Sequence, residues 1–158
     1  METGEKIPGY LGIDAEGKRV MSDNFAGKPL IIYFYPKDNT PGCTAEACNF
    51  RDNYSIFEKM GYQVIGVSKD SPESHNRFAA KFALSFPLVA DTEHALCESA
   101  GVWQKKKMAG REYMGIVRTT FVTDENGVVT DVIEKVKTKE ASEQLFAILD
   151  NRFNPNPA

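Results

Sequence analysis

Continuous apolar runs alternate along this chain with longer stretches in which apolar residues recur every three or four positions. Leu30-Ile31-Ile32-Tyr33-Phe34-Tyr35 ends at Pro36, and Tyr62 to Val67 follows Gly61. Runs of this kind predict strands buried on both faces. Between them a helix is expected from about Thr44 to Met60, with Phe50, Tyr54 and Phe57 at helical spacing and Gly61 as its stop. Ser71-Pro72 opens a second helix, Ser71 as cap and Pro72 at the first helical position, with Phe78, Ala79 and Phe82 toward the core. Pro87 to Ala90 reads as a short strand. Asp91 is expected to cap a third helix through about Ala100, closed by Gly101.

Residues 103–117 are polar and contain glycine, and are expected to form a loop. Thr119–Thr123 and Val128–Val136 then read as two strands around Asp124-Glu125-Asn126-Gly127, whose Asn-Gly pair is a strong hairpin signal. A last helix is predicted over Lys139–Arg152, with Leu145, Ile148 and Leu149 on one face and Thr138 as cap, followed by a frayed tail over 153–158. At the other end, turn-like clusters at residues 14–17 and 26–28 suggest an N-terminal hairpin. This order of elements implies a single α/β domain over 1–158, a mixed central sheet with helices on both faces, consistent with a thioredoxin-like fold.

Composition narrows the function more than the fold. With 42% hydrophobic and 26% charged residues and a net charge of −3, the chain has no general attraction for nucleic acid or membrane surfaces. The basic run Lys105-Lys106-Lys107 is read as a solvated loop in preference to an anion site. No stretch approaches the ~20 apolar residues of a membrane span, and the first residues lack the basic and apolar regions of a secretion signal. A reducing cytoplasm is the expected compartment, where a cysteine pair is more often catalytic or metal-binding than structural. Metal is disfavoured: Cys43, Cys48, Cys97, His75 and His94 include no Cys-x-x-Cys and no closely paired histidines. Both histidines are expected to face solvent, and no cofactor is expected.

Cys43 and Cys48 carry the candidate chemistry. Cys43 falls where a helix begins after the first core strand, with unpaired backbone N–H groups facing the thiol, a setting that favours a thiolate. On an intact helix, residues five apart are rotated by roughly 140° with Cα atoms on the order of 9 Å apart. A disulfide needs about 7 Å or less. Any bond between the two therefore requires the first turns of the helix to unwind, which argues for a transient bond.

The run from Phe34 through Pro36, Thr40, Pro41, Gly42, Cys43, Glu46 and Cys48 to Asp52 resembles the active-site segment of the peroxiredoxins, specifically the bacterioferritin comigratory protein (peroxiredoxin Q) branch. Trp103 through Phe121, with Arg118, is similar to that branch's second signature. The resemblance implies a thiol peroxidase that reduces hydrogen peroxide and organic hydroperoxides. Cys43 would be the attacking thiolate and Cys48 the thiol that resolves its sulfenic acid into a disulfide. Thr40 would accept a hydrogen bond from the peroxide and donate toward the thiolate, and Arg118 would supply a fixed positive charge. Pro36 and Pro41 would shield the pocket from water.

Glu46, three residues after Cys43 and on the same helix face, reads either as the partner of Arg118 or as a first-turn carboxylate favoured by the helix dipole. Arg51 reads equally as a second active-site arginine or a surface ion-pair residue, and Cys97 as a structural or incidental thiol. The resemblance further implies recycling by thioredoxin or a similar dithiol, and the intrachain disulfide points to a monomer. The competing readings are a peroxide-responsive sensor or partner-binding protein in which turnover is incidental, and a disulfide-exchange oxidoreductase, disfavoured by the missing Cys-x-x-Cys.

Overall fold

The computed structural model describes residues 1–153, with side chains through Leu149; the tail expected after Phe153 lies outside the described residues. A hairpin of β1 (Tyr10–Ile13) and β2 (Arg19–Met21) precedes β3 (Leu30–Phe34), α1 (Pro41–Lys59), β4 (Gln63–Ser68), α2 (Pro72–Phe82), β5 (Leu88–Ala90) and α3 (Ala95–Ala100). A ribbon of β6 (Trp103–Met108) and β7 (Arg111–Ile116) leads to β8 (Thr119–Thr123), β9 (Val129–Ile133), a 3-10 turn over Thr138–Glu140 and α4 (Ala141–Phe153).

The main sheet has the order β2-β1-β5-β4-β3-β8-β9. Strands β3, β4 and β5 run parallel, in register from Leu30↔Gln63 to Phe34↔Val67 and from Gly66↔Leu88 to Ser68↔Ala90, while β8 and β9 add antiparallel strands at one edge. β3 is apolar throughout because both of its faces are covered. Ile31, Tyr33 and Tyr35 pack with Phe50 and Phe57 of α1, Phe78 of α2 and Leu145 and Leu149 of α4. Ile32 and Phe34 pack on the opposite face with Leu96, Cys97 and Ala100 of α3. The mixed sheet, the helices on both faces and the N-terminal hairpin agree with the sequence.

Four local expectations are corrected. Residues 103–117 form the β6–β7 ribbon, turned at Ala109 (φ 52°) and Gly110 (φ 80°) and paired from Trp103↔Ile116 to Met108↔Arg111. Its strands lack an apolar alternation because most of the ribbon is exposed on both faces, so of its apolar side chains Trp103 and Ile116 alone are drawn in from solvent. His75 is fully buried, since α2 turns His75 and Phe78, at i and i+3, to the same inner face; His94 is half-exposed and stacks on Trp103 at 4.1 Å. Thr138 does not cap the last helix. It lies in the 3-10 turn, and the Ser142 N–H is instead satisfied by Asn49 of α1 at 2.7 Å. The third helix starts later than Asp91: the helix proper begins at Ala95, and the Asp91 carboxylate accepts from the Leu96 and Cys97 N–H groups at 3.2 and 2.8 Å.

Candidate active site

The site lies beyond the carboxyl end of β3, where a parallel strand hands the chain to a helix. Tyr35 still donates its N–H to Val67 (3.1 Å), and Asn39 then reverses the chain in the left-handed region at φ 59°, a conformation that asparagine tolerates. Thr40 is the extended N-cap (φ −97°, ψ 156°) and its carbonyl accepts the first helical bond from Thr44 at 2.8 Å. Pro41 takes the first helical position, where its missing N–H costs nothing. The helix thus starts three residues before Thr44, and Cys43 is its third residue, 1% exposed.

Arg118, between β7 and β8, binds two groups of α1 at once. Its Nη1 donates to Glu46 Oε1 at 2.7 Å and its Nη2 to Cys43 Sγ at 3.4 Å. A Cβ on Gly42 would stand 3.3 Å from Arg118 Nη2, so the glycine before the cysteine leaves room for the guanidinium. Glu46 is fully buried, and burial pushes its carboxyl up to about 7 against the attraction and hydrogen bond of Arg118. For Arg118, burial disfavours the charge, but Glu46 and Cys43 outweigh it and hold the guanidinium more firmly protonated. The 2.7 Å charge-assisted contact makes the ion pair the resting state above neutrality, with Glu46 far easier to protonate than a surface glutamate. Two buried oxygens nearby, Glu46 Oε2 and Tyr33 Oη, have no hydrogen-bond partner among the described residues.

Cys43, Glu46 and Arg118 therefore meet, and Glu46 is the partner of Arg118. The Thr40 hydroxyl is oriented differently from the expectation: it donates to the Lys37 carbonyl at 2.9 Å, leaving its lone pairs to accept. Pro36 is half-buried beside the loop, whereas Pro41 is exposed. Cys48 is half-buried on the same unbroken helix, and all three cysteines are free thiols. Arg51 lies at the surface, bonded to Asp52 (3.0 Å) and to the Phe82 carbonyl at the end of α2 (2.8 Å). Cys97 packs on the other side of the sheet from Cys43, and burial, with Asp91 beside it, pushes its thiol far up, which makes it inert.

Sequence reasoning missed the polar cluster behind the loop. Asp38 accepts from Tyr35 Oη (2.6 Å), Ser74 Oγ (2.8 Å) and His75 Nδ1 (2.7 Å), and donates its N–H to Asp70 (2.9 Å). Burial raises the Asp38 carboxyl, but the bonds from His75, Tyr35 and Ser74 outweigh it and leave the group below the usual carboxylate range. The helical spacing of His75 with Phe78 and Phe82 was the signal that could have placed this histidine inside.

Comparison with known proteins gives the family. Residues 3–132 match the AhpC/TSA family. The chain is 47% identical over 137 residues to a putative peroxiredoxin Bcp of Coxiella burnetii, covering 87% of this chain and 91% of that protein. It is 45% identical over 140 residues to peroxiredoxin Bcp of Bacillus subtilis, covering 89% of each. Its fold superposes on the bacterioferritin comigratory protein of Xanthomonas campestris, described for alkyl peroxide reduction, with a TM-score of 0.86 at 36% identity, covering 96% of this chain and 99% of that one. A peroxiredoxin Q mutant of Xylella fastidiosa superposes with a TM-score of 0.89 at 30% identity, over 97% and 98% of the two chains. A buried thiol on a helix's first turn, faced by an arginine and carried on this sheet, thus belongs to a chain of the AhpC/TSA family, a thiol peroxidase in the bacterioferritin comigratory protein branch of the peroxiredoxins.

Proposed function

We propose that Cys43 is the peroxidatic residue and Cys48 the resolving one of an atypical two-cysteine cycle. The Cys43 thiolate attacks one peroxide oxygen, the O–O bond breaks, and sulfur keeps one oxygen as sulfenic acid while water or an alcohol leaves. The observation that carries this is the fork of Arg118, one nitrogen 3.4 Å from the sulfur and the other tied to buried Glu46. Such a held guanidinium stabilises charge moving across the O–O bond without reorganising. Thr40 accepts from the bound peroxide, and Pro36 limits water at the loop.

Cys48 then attacks the sulfenic sulfur, giving the disulfide and water, and an external dithiol, thioredoxin or a similar protein, reduces it by exchange. The chain works as one thioredoxin-like domain, as a monomer, in the cytoplasm, where its three thiols stay reduced. Among the described residues no helix is long and apolar enough to cross a membrane. Steady-state peroxide consumption with excess reductant tests the assignment. Cys43→Ser is expected to abolish turnover, and Cys48→Ser to permit one oxidation and then stop. Sustained dithiol-dependent turnover by Cys43→Ser removes the peroxidatic role. A halt of the unaltered protein after about one equivalent of peroxide favours the sensor reading.

A further inference from the structure

The resolving step requires α1 to open between Cys43 and Cys48, and the structure marks where that opening can stop. Upstream, Asp38 ties the loop to three elements that form the base of the fold. Its carboxylate takes bonds from Tyr35 at the end of β3 and from Ser74 and His75 of α2, and its N–H is held by Asp70, whose carboxylate also accepts from Ser68 Oγ of β4 at 2.6 Å. His75 passes the tie on, its Nε2 lying 3.1 Å from the Val89 carbonyl of β5.

Downstream, Asn49 does the same from the residue after Cys48. Its Oδ1 accepts the Ser142 N–H at 2.7 Å and its Nδ2 donates to the Lys139 carbonyl at 2.9 Å, so the amide serves as the missing cap of α4. Ser142 Oγ returns a bond to the Asn49 carbonyl at 3.3 Å.

Between the clamps the side chains are small or polar. The helix from Pro41 to Cys48 buries only Cys43, Glu46 and Ala47 and receives the two bonds of Arg118, and the loop before it makes an exposed contact from Lys81 to Asn39 at 3.2 Å. The first large apolar anchor, Phe50, comes just after Asn49 and packs on Tyr33 at 4.6 Å. Unwinding through Cys48 therefore exposes little apolar surface, and unwinding beyond it exposes an aromatic core.

We propose that Asp38 and Asn49 are positioning residues of the disulfide step: they bracket residues 39–48 as the unit that refolds, and hold everything outside it in place. The inference rests on the Cys43–Cys48 reading above. It is tested on the full chain by hydrogen exchange read by mass spectrometry, comparing the reduced protein with the form produced by one equivalent of hydrogen peroxide, with disulfide mapping on the same samples. Because each helical N–H bonds the carbonyl four residues earlier, from Thr44 N–H on Thr40 onward, loss of protection is expected at the amides of 44–52, with exchange within about twofold of the reduced protein at 72–82, 53–59 and 141–149. In Asn49→Ala the deprotected stretch is expected to extend past residue 52, and the ratio of disulfide closure rate to Cys43 oxidation rate to rise at least threefold. Mapping without a Cys43–Cys48 bond overturns the underlying cycle. A mapped bond whose loss of protection reaches α2 or α4 in the unaltered protein overturns the bracket alone, as does an Asn49→Ala variant with unchanged boundaries and an unchanged rate ratio.

Discussion

Replacing Glu46 by glutamine tests the electrostatics of the site through stability. Glu46 is fully buried, and its carboxyl titrates at about 7 in the folded chain instead of the ordinary 4.5. Between those values the folded state holds a proton that the unfolded state has released. The contribution of Glu46 to stability is therefore complete below about 4.5 and lost as pH rises through about 7. At about 1.4 kcal/mol per pH unit this is roughly 3–4 kcal/mol in total, of which about 2–3 kcal/mol falls between pH 5 and pH 8. Glutamine keeps an oxygen for Arg118 Nη1 and cannot titrate. Urea unfolding of the reduced proteins at pH 5, 6.5 and 8 should show the unaltered chain losing about 2–3 kcal/mol relative to Glu46→Gln as pH rises. Parallel pH dependences, or a difference of the opposite sign, would refute the buried, easily protonated carboxyl.

Two further substitutions probe the same region. Arg118→Lys keeps the charge but loses the fork that reaches Glu46 and Cys43 together, so stopped-flow oxidation of Cys43 by hydrogen peroxide is expected to slow by roughly tenfold or more; a rate within twofold of the parent contradicts the two-armed role. Tyr33→Phe removes a buried hydroxyl that has no partner among the described residues. Its urea midpoint is expected to stay level or rise, by up to about 1 kcal/mol in stability, and a clear loss would mean that the hydroxyl is bonded in solution.

The strands that carry the site were legible because β3 and β4 are buried on both faces and are bounded by proline and glycine. Cys43 and Cys48 were legible from spacing, and Arg118 through resemblance, since nothing local in Val117-Arg118-Thr119 predicts that this side chain crosses to α1. The β6–β7 ribbon was hidden because exposed strands made of Gln104, Lys105, Lys106 and Lys107 carry no burial pattern, only cross-strand pairs such as Lys105–Glu112 at 3.4 Å that require the fold to be known. Asn49 capping α4 was hidden for a related reason: the cap comes from 93 residues away, whereas sequence reading looks for it in the preceding residue, Thr138. His75 was the avoidable error, because its spacing from Phe78 already put it on the inner face.

The most direct test of the central claim is intact mass and peptide mapping of the reduced protein after one equivalent of hydrogen peroxide. The account predicts the loss of two hydrogens and a cross-linked peptide pair joining Cys43 to Cys48, with Cys97 still a free thiol. A lasting single-oxygen adduct on Cys43 with Cys48 unmodified, or a cross-link that runs to Cys97, would contradict it.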